Sequence, residues 1–166
     1  MKNAKVHPFL RGVSDEHLAK LRELSLYAEY GAGDVILREG APADALYLID
    51  EGKVSLETDS AGEGLVQVQT LKDGEALGWS WLYRPFTWHF DARAIKRTTG
   101  HWYDGKKLRE MCETDHEFGY ELMRRVSEVM LARLQHTRRE VVKLYRKQTT
   151  KKQAAKRVTS SRRARP

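Results

Sequence analysis

The chain has 166 residues, 40% of them hydrophobic and 32% charged, a net charge of +7 and a single cysteine, Cys112. That length suits one domain with a real core plus an appendage. No run reaches the roughly 18 apolar residues of a membrane span, the start MKNAKVHPFLRG lacks the apolar centre of a signal peptide, and one cysteine excludes an internal disulfide. A cytoplasmic protein is expected, with Cys112 a structural or incidental thiol. The charge is uneven. Lys143 to Pro166 hold ten Lys or Arg and no acid, so residues 1–142 carry 20 basic and 23 acidic residues, a net −3.

Ser14-Asp15-Glu16 ahead of Leu18, Leu21, Leu24 and Leu26 predicts a short amphipathic helix from about Asp15 to Ser25, capped by the serine and favoured by acids in its first turn. The period then changes. VILREG (35–40), ALYLIDEG (45–52), KVSLET (53–58) and LVQVQTLKDG (65–74) are short, aliphatic and punctuated by Gly, Asp and Ser, the cadence of an antiparallel sandwich or barrel. Turns are expected at Gly31–Asp34, Asp50–Lys53 and Asp59–Gly64. In KVSLET, Val54 and Leu56 alternate with Lys53, Ser55 and Glu57, so one face is expected buried and the other wet.

The stretch GEALGWSWLYRPFTWHFDARA (74–94) gathers three of the four tryptophans and three other aromatics. It reads either as packed core or as the wall of a pocket. A strand FDARAIK and an apolar patch HWYDG follow, then a short helix from Gly105 to Met111. Thr114-x-x-Glu117 has the form of a capping box opening a long helix over about 115–147. Along it Phe118, Leu122, Val126, Met130, Leu134, Thr137, Val141 and Leu144 make one apolar stripe. Its first turns can pack on their own barrel, but about eight turns outrun one, so the far half is expected to pair in a homodimer. Residues 148–166 form a basic tail with few large apolar residues, expected to be disordered.

Catalytic chemistry finds no footing. The six histidines lack metal-ligand spacing, Cys112 and His116 fall on different elements, and no nucleophile accompanies His89 and Asp91. No phosphate-loop, dinucleotide or serine-hydrolase motif occurs. Catalytic residues, none; metal ligands, none. About 20 residues remain after the long helix, too few for a helix-turn-helix reader of DNA, although the tail can contact phosphate backbones nonspecifically or meet an acidic protein.

Gly33-Asp34-Val35-Ile36, Arg38-Glu39-Gly40, Ala43 through Ile49, and Glu51-Gly52-Lys53-Val54 occur in that order. Together they resemble the cyclic-nucleotide-binding domain of the catabolite activator protein and FNR superfamily over residues 9–145. The resemblance implies an α+β fold: an antiparallel β-barrel or jelly roll (a double-stranded β-helix) with an N-terminal helix, a short cassette helix and a long C-terminal helix. It spans a domain of residues 1–147. It also implies a phosphate-binding cassette in which helix amides and an Arg hold the cyclic phosphate and a Glu takes the ribose hydroxyl.

On the family pattern F-G-E-x-[AS]-L followed by R-[ST]-A, Leu77-Gly78-Trp79-Ser80-Trp81-Leu82 and Phe90-Asp91-Ala92 take those places. Gly78 and Ala92 match, whereas Trp79 replaces the Glu and Phe90 the Arg. The candidate ligand site is therefore Leu77, Gly78, Trp79, Ser80, Trp81, Arg84, His89, Phe90, Ala92 and Arg93, with Arg84, His89 or Arg93 as substitute cations. GWSWL followed by WHFDARA resembles small stand-alone bacterial members without a helix-turn-helix domain. The implied function is a non-catalytic, ligand-sensing regulatory module that takes a nucleotide or another small ligand and signals through its C-terminal helices. The alternative is a ligand-free dimeric scaffold.

Overall fold

The computed structural model describes residues 6–60 and 64–163, apart from the side chains of Gln148 and of residues 151–163. Two compact units divide the chain, the first ending at Val126 and the second beginning at Ser127.

In the first unit a 3-10 turn, Pro8–Leu10, precedes helix α1 (Asp15–Leu24), whose Ser14 cap accepts from the His17 amide as its sequence requires. The chain passes without a loop into strand β1 (Ser25–Tyr30). This strand was hidden because Leu24 and Leu26 prolong the helical leucine pattern. Strands β2 (Val35–Leu37), β3 (Ala45–Asp59), β4 (Leu65–Lys72), β5 (Ala76–Leu77) and β6 (Asp91–Asp104) complete one antiparallel sheet. Its order is β1-β6-β3-β4, with β2 on β6 and β5 on β3. Helices α2 (Gly105–Thr114) and α3 (His116–Arg163) follow, giving the jelly-roll arrangement expected from the sequence.

The strands are fewer and longer than expected. Asp50–Lys53 is no turn but the middle of β3, where the register against β6 shifts between Ile49 and Glu51 and again on to Val54. Gly52 is the reason the strand can bend there without ending. Its φ is 145°, and a Cβ would lie 2.7 Å from the Thr98 Cα, so only glycine lets the two strands stay this close. Asp73 accepts from its amide at 2.6 Å. FDARAIK and HWYDG likewise fuse into the single strand β6.

Tyr47, Ile49, Val54, Leu56, Leu71, Leu77, Trp88 and Ala92 form the core inside the sheet. Val54 and Leu56 point inward as expected, yet Ser55 is buried too. It lies opposite Arg93, whose guanidinium reaches to Glu57 two residues along the strand.

At the joint between the last two helices, Thr114 is the end of α2 rather than the cap of α3, and its hydroxyl bonds back to Glu110 and Met111. The cap is Asp115. It accepts from the Phe118 amide at 3.0 Å and from His17 Nε2 at 2.8 Å, and these bonds hold its carboxyl below the usual range. As the cap, Asp115 satisfies the Phe118 amide instead of the Glu117 amide that Thr114 would take, and does so with a full negative charge.

Phe118, Leu122 and Val126 are buried, as the stripe requires. In the second unit Leu134, Val141 and Leu144 on the same stripe are 67%, 58% and 59% exposed in the single chain. The helical backbone does not stop near Lys147. It continues to Arg163, where the sequence pointed to disorder. Lys, Gln, Ala and Arg are strong helix formers, and no Gly or Pro occurs in 148–163 to end the helix. The remainder of the expected tail, residues 164–166, lies outside the described residues. No helix of the described residues is long and apolar enough to cross a membrane.

Candidate functional site

Strand β5 delivers the chain to Gly78, which turns it with φ 82° into a 3-10 turn at Ser80–Leu82. The expected cassette helix is thus a single tight turn, entered through Trp79 without any side-chain cap bond. Phe86, with φ 57°, then reverses the chain. Residues 86–88 are zipped to 40–43: Ala43 donates to the Phe86 carbonyl at 2.7 Å, Trp88 to Ala41 at 2.9 Å, and Gly40 to Trp88 at 2.9 Å.

This zipper decides where the aromatics go. Trp88 enters the core with 5% exposure, and its ring edge lies so close to Gly78 that a Cβ there would approach it to 2.7 Å. Trp81 is wholly buried, its Cβ beside Gly105 at the start of α2. Trp79 and Phe90 are half-buried and meet edge to face with centroids 6.0 Å apart. The aromatic stretch thus divides: Trp81 and Trp88 are core, while Trp79 and Phe90 stay half-buried and pair with each other.

The remaining candidates separate. Ser80, itself buried, hydrogen-bonds His89 Nδ1 at 3.1 Å, which brings those two together. Leu77 and Ala92 are buried in the barrel and contribute shape rather than contacts. Arg84 is exposed and lies 5.5 Å over the Phe86 ring. Arg93 is occupied elsewhere, donating to the Gly33 carbonyl at 2.9 Å and bridging Glu57 at 3.3 Å, so it is committed to the sheet. Asp91 accepts from the Glu39 amide at 2.7 Å and faces Arg38 at 3.6 Å, tying the cassette's far end to the loop after β2.

Arg109 of α2 escaped the sequence reading. It donates to the Trp81 carbonyl and lies 4.5 Å over the Phe86 ring, clamping the 3-10 turn to α2. Nothing in the sequence marks it, because an Arg on a short amphipathic helix is ordinarily a solvated one. Among the described residues no cluster of three or more His, Cys, Asp or Glu is placed to hold a metal ion.

The sequence pattern described as "Cyclic nucleotide-binding domain" matches residues 27–115, more than half of the chain. The chain belongs to the cyclic nucleotide-binding domain family. Solved structures of this family agree with that. A protein from Geobacter metallireducens GS-15 assigned to the cyclic nucleotide-binding proteins is 33% identical, with a TM-score of 0.70 over 78% of this chain and 93% of its own. The catabolite activator protein of Thermus thermophilus shares the fold at 20% identity and TM-score 0.66, over 83% of this chain and 63% of its own. So does the regulatory subunit of a cAMP-independent protein kinase A from Trypanosoma brucei, at 21% identity and TM-score 0.60, over 73% and 43%. That structure is of a triple variant, one of whose substitutions installs an arginine for a threonine, bound to cAMP in its A site.

Proposed function

We propose that this protein is a non-catalytic regulatory member of the cyclic nucleotide-binding domain family whose altered cassette does not take cAMP in the family's usual way. One observation carries the reading: the Trp79–Phe90 pair stands where the family pattern places the ribose-binding Glu and the phosphate-binding Arg. A phosphate taken from water without a cation loses its hydration with no return, and a ribose hydroxyl gains no carboxylate acceptor. A flat or apolar ligand, by contrast, would find the half-buried Trp79 and Phe90 rings, with Ser80 and His89 as polar partners. The Trypanosoma protein supports the reading by analogy, being described as cAMP-independent and, in an arginine-bearing variant, as cAMP-bound.

Occupancy would be relayed through Arg109, which joins the cassette turn to α2, and from α2 through Asp115 to α3. The exposed Leu134, Val141 and Leu144 are assigned to a homodimer, with the protein acting in the cytoplasm. The burial of Trp81 and Trp88 favours a second reading, a ligand-free dimeric scaffold whose basic C-terminal segment contacts nucleic acid or an acidic protein.

Tryptophan fluorescence tests the first reading. cAMP, cGMP and a cyclic dinucleotide are titrated against the wild type and the double variant Trp79→Glu, Phe90→Arg. A saturable cAMP response is expected from the double variant and not from the wild type. Equal cAMP affinity in both would overturn the reading. Silence of the wild type toward every nucleotide and apolar ligand tried would favour the scaffold.

A further inference from the structure

A cavity of about 240 Å³ lies between the N-terminal 3-10 turn, α1 and the strand pair β3–β6. Its floor is apolar, formed by Val6, Leu10, Leu18, Leu21 and Leu48. Its polar lining is His7, Arg22, Ser25, Asp50, His101 and Tyr103, with the Ser25 hydroxyl given to the Arg22 carbonyl.

Most of the polar lining is already committed. His7 donates from Nε2 to the Ile49 carbonyl at 2.9 Å and accepts at Nδ1 from the Phe9 amide at 3.2 Å, so both ring nitrogens are used. Burial pushes its pKa down, which keeps that tautomer neutral. Asp50 is held by His101 Nδ1 at 2.9 Å. What remains are two donors. Neither the Arg22 guanidinium nor the Tyr103 hydroxyl has a hydrogen bond or ion pair with a described side chain, yet both line this cavity and interact electrostatically. Burial and Asp50 push the Tyr103 hydroxyl up to about 12, so at neutral pH it is a donor and never a competing anion.

With Asp50 turned to His101, a guanidinium and a hydroxyl donor beside a leucine-lined pocket suit a small acid with an apolar tail. We propose that this cavity is a second ligand site, for a small monocarboxylate with an apolar tail of about six to eight carbons, 240 Å³ being the share of about eight waters. The carboxylate meets Arg22 and Tyr103, and the tail lies on Leu10, Leu18, Leu21 and Leu48. The site is independent of the cassette: no residue of 77–92 lines it. A ligand there would bridge the N-terminal turn, α1 and the sheet, three elements that otherwise meet across a partly open space.

The test is an amide-resolved NMR titration of the full chain with octanoate as probe. Saturable shifts are expected at residues 6, 7, 9 and 10, 22–25 and 101–103, with a Kd on the order of 0.1–1 mM. Arg22→Gln should weaken binding at least about tenfold and Arg22→Lys much less, because the lysine keeps the charge. Tyr103→Phe should weaken it by less than Arg22→Gln. Arg22 is exposed, so its variants should keep the wild-type spectrum outside the cavity. Octan-1-ol, with the same tail and no charge, should bind more weakly than octanoate. Absence of saturable shifts, equal binding of octanol, indifference to Arg22→Gln, or shifts confined to residues 77–92 would each overturn the proposal.

Discussion

Residues 33–54 and residues 77–92 both carry pieces of the family's pattern, and the structure uses them differently. In the first stretch the pattern residues shape backbone: Gly33 turns with φ 94°, Gly52 bends β3 through its bulge, and the Asp44 carbonyl receives the amide that opens α2. All of those residues are kept. In the second stretch Gly78 and Ala92 likewise serve the backbone and the core and are kept, whereas the two positions that would touch a ligand hold Trp79 and Phe90. The pattern of a family therefore contains two kinds of position, those the fold needs and those a particular ligand needs. On the function proposed above, they come apart within one segment of 16 residues.

Three substitutions probe that division by their effect on stability. Trp88→Ala is expected to be the most damaging, because it removes a buried ring from the core and opens a void beside Gly78, a loss of about 3–5 kcal/mol in a denaturant titration. Gly52→Ala comes next, at about 2 kcal/mol or more, since a methyl group would meet the Thr98 backbone at a φ that side chains seldom adopt. Trp79→Ala should cost least. It loses one half-buried edge-to-face contact worth about 0.5–1.5 kcal/mol plus partial burial, and the folded spectrum should survive. If Trp79→Ala unfolded the protein as readily as Trp88→Ala, the separation of fold positions from ligand positions would fail.

How far these roles can be read from sequence follows from the range of the forces involved. Short-range features were legible: the Ser14 cap, the Gly31–Asp34 turn, and the buried Phe118, Leu122 and Val126 of α3. The jelly roll itself followed from ordered motifs, although the sequence divides β3 into two strands and β6 into a strand and an apolar patch. A glycine between acidic and basic residues marks a turn or a bulge equally well, and only the Thr98 backbone across the sheet decides which. Similarly, Thr114 and Asp115 are both good caps, and the distant His17 helps select the second. The cassette was legible as a segment but not as an arrangement. Its tryptophans are chemically alike, and the pairing of residues 86–88 with 40–43 sends Trp88 inward while Trp79 stays half-buried.

Arg109 gives the cassette a property that no local motif expresses. Its bond to the Trp81 carbonyl joins residues 28 apart in sequence, and between them run the rest of the aromatic segment, all of β6 and the first turn of α2. The chain there is a ring whose closing link is one side chain, much as a strap is closed by a buckle. Releasing the buckle breaks no strand pairing, so the ring can loosen while the sheet stays intact. Because the β6 pairing and the 86–88 zipper already order most of the residues between, the Arg109 bond has little loop entropy left to oppose it.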